Sequence, residues 1–556
     1  MRCRDVVFLS MLAPLACGDD PPASESADAT SLTSAGSESG EPTTSGTNTT
    51  TVSTTLADTS AGPSTSVDSS SSDDGPKFDL GRPMEDIDTG DPGDLCHVQG
   101  DNAVGDCKME APADSFVPEV QWSWAGYPGE PDCIVTPLVA NLTDDNNDGE
   151  INLCDIPDIL IVGSPDWYVH GHMALIDGAT GTPHFQFAEL SQWAVTPAIG
   201  DIDDDGIPEI VGSVMNGGTA NLAAWEHDGT LKWTSTVTIP GEYSIALADI
   251  DTDGDVEIVV GASVTDHNGN LMFNVPDTPT GWAATTLADL DEDGSLEIVM
   301  GRSAYHNDGT QYFLNNGAPV GMPQVANLDA DDNAEVLILP GGGVGMTVLE
   351  HDGTTKYTAV NPTGDGDWRR PAAIHDLDGD DVSEIAVSST ANYGVYEGID
   401  ASVVWVSPVL DSSGLASGTA FDFLGDGIAE AIYADETNLF VFGDDGAVLL
   451  QTPRSSGTLI EYPVVADVDN DGSSEIIVVS NETFGNQTPL LQVIRDEDDR
   501  WIQSRRIWNQ HTYHVTNVRE DGTIPQNEQR HWHQLNTFRT NAQIEGGGIC
   551  DPRPPG

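Results

Sequence analysis

One hydropathy pattern recurs along the chain. A short apolar run leads into alternating aspartates, a glycine ends the acidic stretch, a glutamate follows, and several apolar residues come next. The clearest copy is GDIDDDGIPEIVG, Gly200 to Gly212. It returns as ADIDTDGDVEIVVG from Ala248, ADLDEDGSLEIVMG from Ala288 and ADVDNDGSSEIIVV from Ala466. Looser copies are ANLDADDNAEVLIL from Ala326, HDLDGDDVSEIAVS from His375 and FDFLGDGIAEAIYA from Phe421. The acidic stretches begin at residues 201, 249, 289, 327, 376, 422 and 467, so neighbouring copies stand 38 to 49 residues apart. An earlier unit, ANLTDDNNDGEINLCDIPDILIVG, opens at Ala140 with a longer loop. Short apolar runs bounded by turn residues predict buried strands.

Most units carry a second signal, two apolar or aromatic runs meeting at Asp-Gly or Asn-Gly. Examples are LAAWEHDGTLKW, VTDHNGNLMF, AYHNDGTQYF, VLEHDGTTKY and LFVFGDDGAVLL. These dipeptides accept the positive φ of tight hairpin turns. Each repeat therefore supplies four strands: one before the acidic loop, one after it, and two hairpin arms. Four-stranded units at this period predict a β-propeller, whose blades hide one another's edges. The expected fold class is all-β, a β-propeller of seven or eight four-stranded blades. Eight acidic loops favour eight blades, and seven plus an irregular terminal unit is the other count. VPEVQWSW, Val117 to Trp124, reads as an outer strand without its own hairpin, expected to close the ring with the last blade.

The acidic loops pose an electrostatic problem, because like charges a few ångströms apart repel by about 1 kcal/mol per pair even in water. Alternate residues of a tight loop can point inward together, and a divalent ion then relieves the repulsion. Ca²⁺ suits such a cage of oxygens, whereas Mg²⁺ demands a small octahedral shell and keeps its waters. The expected ligands are Asp201, Asp203, Asp205 and Glu209; Asp249, Asp251, Asp253 and Glu257; Asp289, Asp291, Asp293 and Glu297; and Asp467, Asp469, Asp471 and Glu475. The loop at 376 keeps Asp376, Asp378, Asp380 and Glu384 but places Asp381 where glycine would turn. At 327 the loop starts with Asn327 and has Asp332 at the turn, and the loops at 376 and 327 are both expected to bind weakly. The loop at 422 has Leu424 in place of a ligand and is expected to be empty or poorly occupied. In the first unit Asp144, Asn146, Asp148, Asn152 and Asp155 fall at positions 1, 3, 5, 9 and 12, the spacing of an EF-hand loop.

On these loops the chain resembles the integrin-like FG-GAP and VCBS repeat proteins of bacteria, over roughly residues 117 to 540. The resemblance implies a propeller carrying an Asp-x-Asp-x-Asp-Gly calcium loop in each blade. Position 9 here is Glu, where integrin loops have Asp. Several structural calcium ions are thus the expected cofactors, and the implied role is adhesion or recognition, with a protein or glycan ligand.

Charge sharpens the choice of partners. Lys and Arg number 19 against 92 Asp and Glu, for a net charge of -73, which excludes binding to nucleic acid or an anionic membrane face through charge. MRCRDVVFLSMLAPLAC combines basic residues with an apolar stretch too short to span a bilayer, so residues 1–17 read as an export signal. Its end resembles a lipoprotein processing site, with Cys17 the lipidated residue. Membrane contact is expected only through that anchor, and the location is the outer membrane, the cell surface or the medium. Residues 18–92, rich in Ser, Thr, Asp and Gly, read as a disordered tether spanning roughly 50 Å as a coil. The propeller with its closing segment is assigned to residues 93–545, and residues 546–556 to a flexible tail. Export permits disulfides, and Cys96 with Cys107 and Cys133 with Cys154 are the expected pairs, leaving Cys550 over.

After the last repeat, RRIWNQHTYHVTNVREDGTIPQNEQRHWHQLNTFRTN is rich in Trp, His and Arg, and resembles the closing segment of the same repeat proteins. Arg505, Arg506, Trp508, Trp532 and Phe538 are expected to pack across the ring and pair with carboxylates. His511 with His514, and His531 with His533, offer imidazoles for a transition metal, without a cysteine to complete the set. The chain has no Gly-x-Ser-x-Gly, His-Glu-x-x-His, phosphate loop or adjacent cysteine pair. No catalytic residue is assigned, and the reading is a binding module; a secreted polysaccharide-active enzyme is the alternative.

Overall fold

The computed structural model describes residues 96–98, 104–112, 115–277, 282–329, 331–340, 345–364, 371–412, 415–482 and 485–552. The described residues all lie within one compact unit, Asp74–Gly556. The export signal, Cys17 and the tether lie outside the described residues.

Among the described residues the secondary structure is almost wholly β, with one short 3-10 helix, His531–His533. Eight antiparallel sheets follow one another along the chain, accompanied by a small three-stranded sheet. The second sheet shows the plan: Ala198–Gly200, Glu209–Asn216, Thr219–Trp225 and Leu231–Ile239 pair in chain order. Its acidic loop joins the first strand to the second, and Asp-Gly turns the third into the fourth. The first sheet is five-stranded, since Asp132–Cys133 and Leu138–Ala140 both pair with Asp158–Ser164. The eighth is completed from far away in sequence. Val464–Ala466, Glu475–Val479 and Leu491–Asp496 take Pro118–Trp124 as their fourth strand. That is the outer strand without a hairpin, lying where its unpaired sequence pattern placed it.

Burial falls from the first strand of each sheet to the last. Glu475–Val479 and Glu335–Pro340 are buried throughout, while Leu231–Ile239 alternates, with Ser235, Val237 and Ile239 inward. A strand covered on both faces reads as a continuous apolar run, and a half-exposed one as period two. First strands of successive sheets neighbour one another, as between Ala198–Gly200 and Ile245–Ala248 or between Gly418–Phe421 and Val464–Ala466. The result is a β-propeller-like all-β fold.

First strands leave one edge for another partner, and the C-terminal segment supplies it. Trp508 exchanges two backbone hydrogen bonds with Val139, and the Asn509 carbonyl accepts from Ile199 N–H at 2.8 Å. Leu247 N–H donates to Gln510 Oε1 at 2.9 Å, and Thr512 Oγ1 donates to the Thr285 carbonyl at 3.2 Å. His531 Nε2 meets the Val325 carbonyl at 2.6 Å, and Phe538 exchanges two backbone bonds with Ile374. Thr419 Oγ1 donates to the Arg539 carbonyl at 2.7 Å, and Asn541 Nδ2 to the Val465 carbonyl at 2.8 Å. The segment thus touches all eight sheets in chain order, at or beside their first strands. Trp508 and Phe538 are fully buried, as expected. Arg506 pairs with Glu520 at 2.7 Å, but Arg505 spends its donors on the Val515 and Val518 carbonyls and Tyr513 Oη, not on a carboxylate.

The disulfides are Cys96–Cys154 and Cys107–Cys550, which corrects both expected pairs. Cys133 pairs in register with Gly163, near the far end of Asp158–Ser164, whereas Cys154 precedes the start of that strand. A strand of that length keeps them roughly 20 Å apart. Cys133 is a free, buried thiol, pushed up to about 12 by burial. Residues 548–551, assigned by sequence to a loose tail, form the strand Gly548–Asp551, parallel to Gly105–Asp106, which sets Cys550 beside Cys107. No helix among the described residues is long and apolar enough to cross a membrane.

Candidate functional site

Seven of the acidic loops share one backbone turn, and the loop at 327, whose sixth residue Asp332 has no positive φ, departs from it. The fourth residue takes a positive φ in Asn147 (62°), Asp204 (59°), Thr252 (62°), Glu292 (65°) and Asn470 (58°), and the sixth does so in Gly149, Gly206, Gly254, Gly294 and Gly472. In the loop at 376 the same two places are Gly379 (80°) and Asp381 (67°), so glycine and aspartate have exchanged positions while the turn is kept. The loop at 422 has Gly425 and Gly427 there. First aspartates hold the turn by accepting backbone amides: Asp201 from Asp205 at 3.2 Å and Gly206 at 3.0 Å, Asp249 from Asp253 at 3.2 Å and Gly254 at 2.8 Å. Fifth-position Asp205, Asp253, Asp293 and Asp471 each accept the amide two residues on at 2.9 Å.

The carboxylate after the loop opens the second strand of every sheet. One of its oxygens always accepts the amide two residues beyond the end of the first strand. Ile202 donates to Glu209 at 3.0 Å, Ile250 to Glu257 at 3.1 Å, Leu290 to Glu297 at 2.8 Å and Leu328 to Glu335 at 2.6 Å. Leu377 donates to Glu384 at 2.7 Å, Phe423 to Glu430 at 3.0 Å, Val468 to Glu475 at 2.9 Å and, in the first sheet, Leu142 to Asp158 at 3.0 Å. All eight carboxylates are buried.

The second oxygen divides the loops. Lys232 Nζ meets Glu209 Oε1 at 3.0 Å and Asp203 Oδ2 at 2.6 Å, and Lys356 meets Glu335 Oε1 at 3.1 Å and also Asp329. His306 Nδ1 reaches Glu297 Oε1 at 3.0 Å, and His184 Nε2 reaches Asp158 Oδ1 at 2.9 Å. Among the described residues no Lys, Arg or His lies within ion-pair distance of Glu257, Glu384, Glu430 or Glu475. Burial pushes Glu257 up to about 8 and Glu384 to about 9, with the loop aspartates adding repulsion, and raises Glu430 and Glu475 well above the usual carboxylate range. Burial likewise lifts Asp467 to about 7 and Asp471 to about 8.

Several of these oxygens are orphans. Glu384 Oε1, Asp378 Oδ1, Asp467 Oδ1, Glu475 Oε1 and Asp289 Oδ1 are buried without a hydrogen-bond partner. An unpaired buried charge is costly, so each needs a proton or a cation. Carboxylates converging in a fixed turn fit a hard divalent ion, which takes roughly six to eight oxygens. Asp376, Asp378, Asp380 and Glu384 would hold it in one loop, and Asp467, Asp469, Asp471 and Glu475 in another. Asp249, Asp251, Asp253 and Glu257 form a third such set. In the loop at 289, Asp289 Oδ2 is instead taken by Arg530 at 2.9 Å. In the first unit both oxygens of Asp155 accept backbone amides, from Asp145, Asn146 and Asn152, and Asn152 Oδ1 accepts from Cys154. Asp144, Asn146 and Asp148 keep the turn geometry of the other loops.

The histidines group differently from their sequence pairing. His514 stands beside His531, ring centroids 4.5 Å apart, and its Nε2 meets Glu528 at 2.6 Å. His531 Nε2 and His533 Nε2 are bonded to the Val325 and Asp332 carbonyls. Burial, with Arg539 nearby, drives His511 well below its ordinary value and keeps it neutral. Lys232, Lys356, His184 and His306 escaped the sequence reading because each lies in or beside a hairpin, 23, 21, 26 and 9 residues from the carboxylate it serves. The visible signal was a basic residue three places after the turn glycine in Gly229–Lys232, Gly353–Lys356 and Gly181–His184. Asp158 was legible too, since PDILIVG parallels PEIVG.

Residues 201–260 match the FG-GAP-like repeat family. The chain thus carries an FG-GAP-like repeat in its second sheet and the first strands of the third. Among solved structures it is similar to the V. cholerae biofilm matrix protein Bap1, at 20% identity and TM-score 0.71, covering 79% of this chain and 100% of that one. More distant likenesses include a rhamnogalacturonan lyase of Bacillus licheniformis, at 16% identity and TM-score 0.46 over 79% and 83% of the two chains. BamB from Moraxella catarrhalis follows at 13% identity and TM-score 0.39 over 62% and 93%. No curated protein sequence matches the chain.

Proposed function

We propose that this is an exported, lipid-anchored surface protein whose eight-bladed propeller, stiffened by calcium in its acidic loops, binds a protein or glycan partner outside the cell. The single observation that carries the calcium reading is the set of buried carboxylate oxygens left without partners at Asp378, Glu384, Asp467 and Glu475. The ion's role is structural, since a ligand held only by the folded loops adds its binding free energy to stability, about 3 kcal/mol per site at a hundred times its Kd. The propeller-like fold shared with a matrix protein and the long acidic tether support display at a surface.

The reading is tested on the purified chain. Calcium should raise the melting temperature and a chelator should lower it, while immobilised cell-surface glycans or envelope proteins should be retained only in calcium. An unchanged melting temperature overturns the calcium reading. Cleavage of the glycan instead of retention overturns the binding role.

A further inference from the structure

We infer that in the loops at 201 and 327 a lysine of the same sheet takes the place of the divalent ion, so that these two loops do not bind calcium. The inference rests on the calcium reading of the other loops. Lys232 leaves the fourth strand of its sheet and sets Nζ among three carboxylates, Asp203 Oδ2 at 2.6 Å, Glu209 Oε1 at 3.0 Å and Glu226 Oε1 at 3.0 Å. Asp201, Asp203 and Glu209 are the oxygens that an ion in this loop would share, lying within 4.8 Å of one another. Lys356 repeats the arrangement with Asp329, with Glu335 Oε1 at 3.1 Å and with Glu350 Oε1 at 3.7 Å.

The two sites share a register as well as a geometry. Each lysine stands three residues after its turn glycine and six after a glutamate, Glu226 or Glu350, whose carboxylate it also meets. At the same place the third sheet has Met272, after Gly269, and the seventh has Leu449, after Gly446. An ammonium held against the loop carboxylates and a divalent ion coordinated by the same oxygens would be like charges in near contact, so the two exclude each other. Ammonium hydrogen bonds also satisfy the second oxygen of the strand-opening Glu, which stays orphaned in the loops at 376 and 467. The loop at 201 has a full Asp-x-Asp-x-Asp-Gly-x-x-Glu set, so ligand spacing alone does not report occupancy; the hairpin residue does.

Exchanging the hairpin residues between neighbouring sheets tests this on the whole chain. Calcium ions per folded chain are counted by native mass spectrometry for the parent, for Lys232→Met and for Met272→Lys. Lys232→Met should gain one ion, and its melting temperature without calcium should fall below the parent's and be restored by calcium. Met272→Lys, at an exposed position, should lose one ion. An equal, non-zero count in the parent and both variants overturns the lysine inference and leaves the calcium reading standing. A count of zero in the parent overturns the calcium reading, and zero in Lys232→Met as well overturns both. If Lys232→Met does not fold, the count of Met272→Lys against the parent decides alone.

Discussion

The acidic loops and the C-terminal segment solve opposite problems with opposite means. The loops crowd charge of one sign into short, repeated turns and leave carboxylate oxygens such as Asp467 Oδ1 and Glu475 Oε1 without a protein partner. The C-terminal segment buries cations and polar groups at the first strands, and its orphaned atoms, such as Arg505 Nε, Trp508 Nε1 and His511 Nε2, include no carboxylate oxygen. Arg539 is fully buried and spends its guanidinium on the His511 and Ala372 carbonyls, while Asn541 Nδ2 donates to Val465, Arg505 and Ile507. One region leaves anionic oxygens unpartnered, and the other, among the described residues, pairs every buried carboxylate it carries. Conditions that change ions or protons should therefore act on the loops and pass the C-terminal segment by.

The largest expected effect comes from changing pH with the metal stripped. In the folded chain Glu257 and Glu384 titrate near 8 and 9, because burial disfavours their charge, and an unfolded Glu titrates near 4.3. Between those values the folded state holds protons the unfolded state has released. The stability these carboxyls contribute is therefore full below about pH 4.3 and is lost as pH rises towards 9, by several kcal/mol summed over them. Calcium displaces the protons and should flatten the profile. Denaturation midpoints at pH 5, 7 and 9, with chelator and with calcium, would check it; equal slopes in both series would break the contrast.

A substitution in the C-terminal segment should cost nearly as much and ignore the ion. Trp508 is fully buried, stacks on Tyr513 with centroids 4.5 Å apart and joins the hydrophobic cluster of the first and eighth sheets. Trp508→Ala should destabilise by about 3–5 kcal/mol through the cavity it leaves. The same deficit is expected in chelator and in saturating calcium, read from urea midpoints. A deficit that calcium repaired would mean that the two regions are one cooperative ion-dependent unit.

The same contrast explains what could be read in advance. The loops, their strands and the fourth strand at Pro118–Trp124 were legible because each is announced locally, by a motif that recurs or by a strand pattern with no hairpin of its own. Residues 508–541 occur once, and their partners are scattered from Val139 to Val465, so no periodicity reveals that the segment meets the sheets in order. The disulfide Cys107–Cys550 was hidden for the same reason, its halves being 443 residues apart. The loop cations fall between these cases. Lys232 and Lys356 repeat at a fixed distance from the turn, but their charge matters only once the hairpin is folded back beside the acidic loop.

The smallest effect separates the regions most cleanly, because its sign should reverse. Glu475 gives Oε2 to the Val468 amide and leaves Oε1 buried without a partner, amid Asp467, Asp469 and Asp471. In Glu475→Gln the side-chain carbonyl still accepts the Val468 amide, while the acid that burial and the loop aspartates hold far above its ordinary range disappears. In chelator at pH 8 this should stabilise the chain by about 1–2 kcal/mol, since folding the parent must either bury an unpaired charge or take up a proton that the unfolded chain has released. In saturating calcium the same change removes a charged ligand and should destabilise by a similar amount. No substitution in the C-terminal segment offers such a reversal, because its buried carboxylates, Glu520 and Glu528, already pair with Arg506 and His514. Paired denaturation curves of parent and variant read the crossing directly, and a shift of one sign in both conditions would place Glu475 with the ordinary buried hydrogen-bond acceptors, outside any ion's reach.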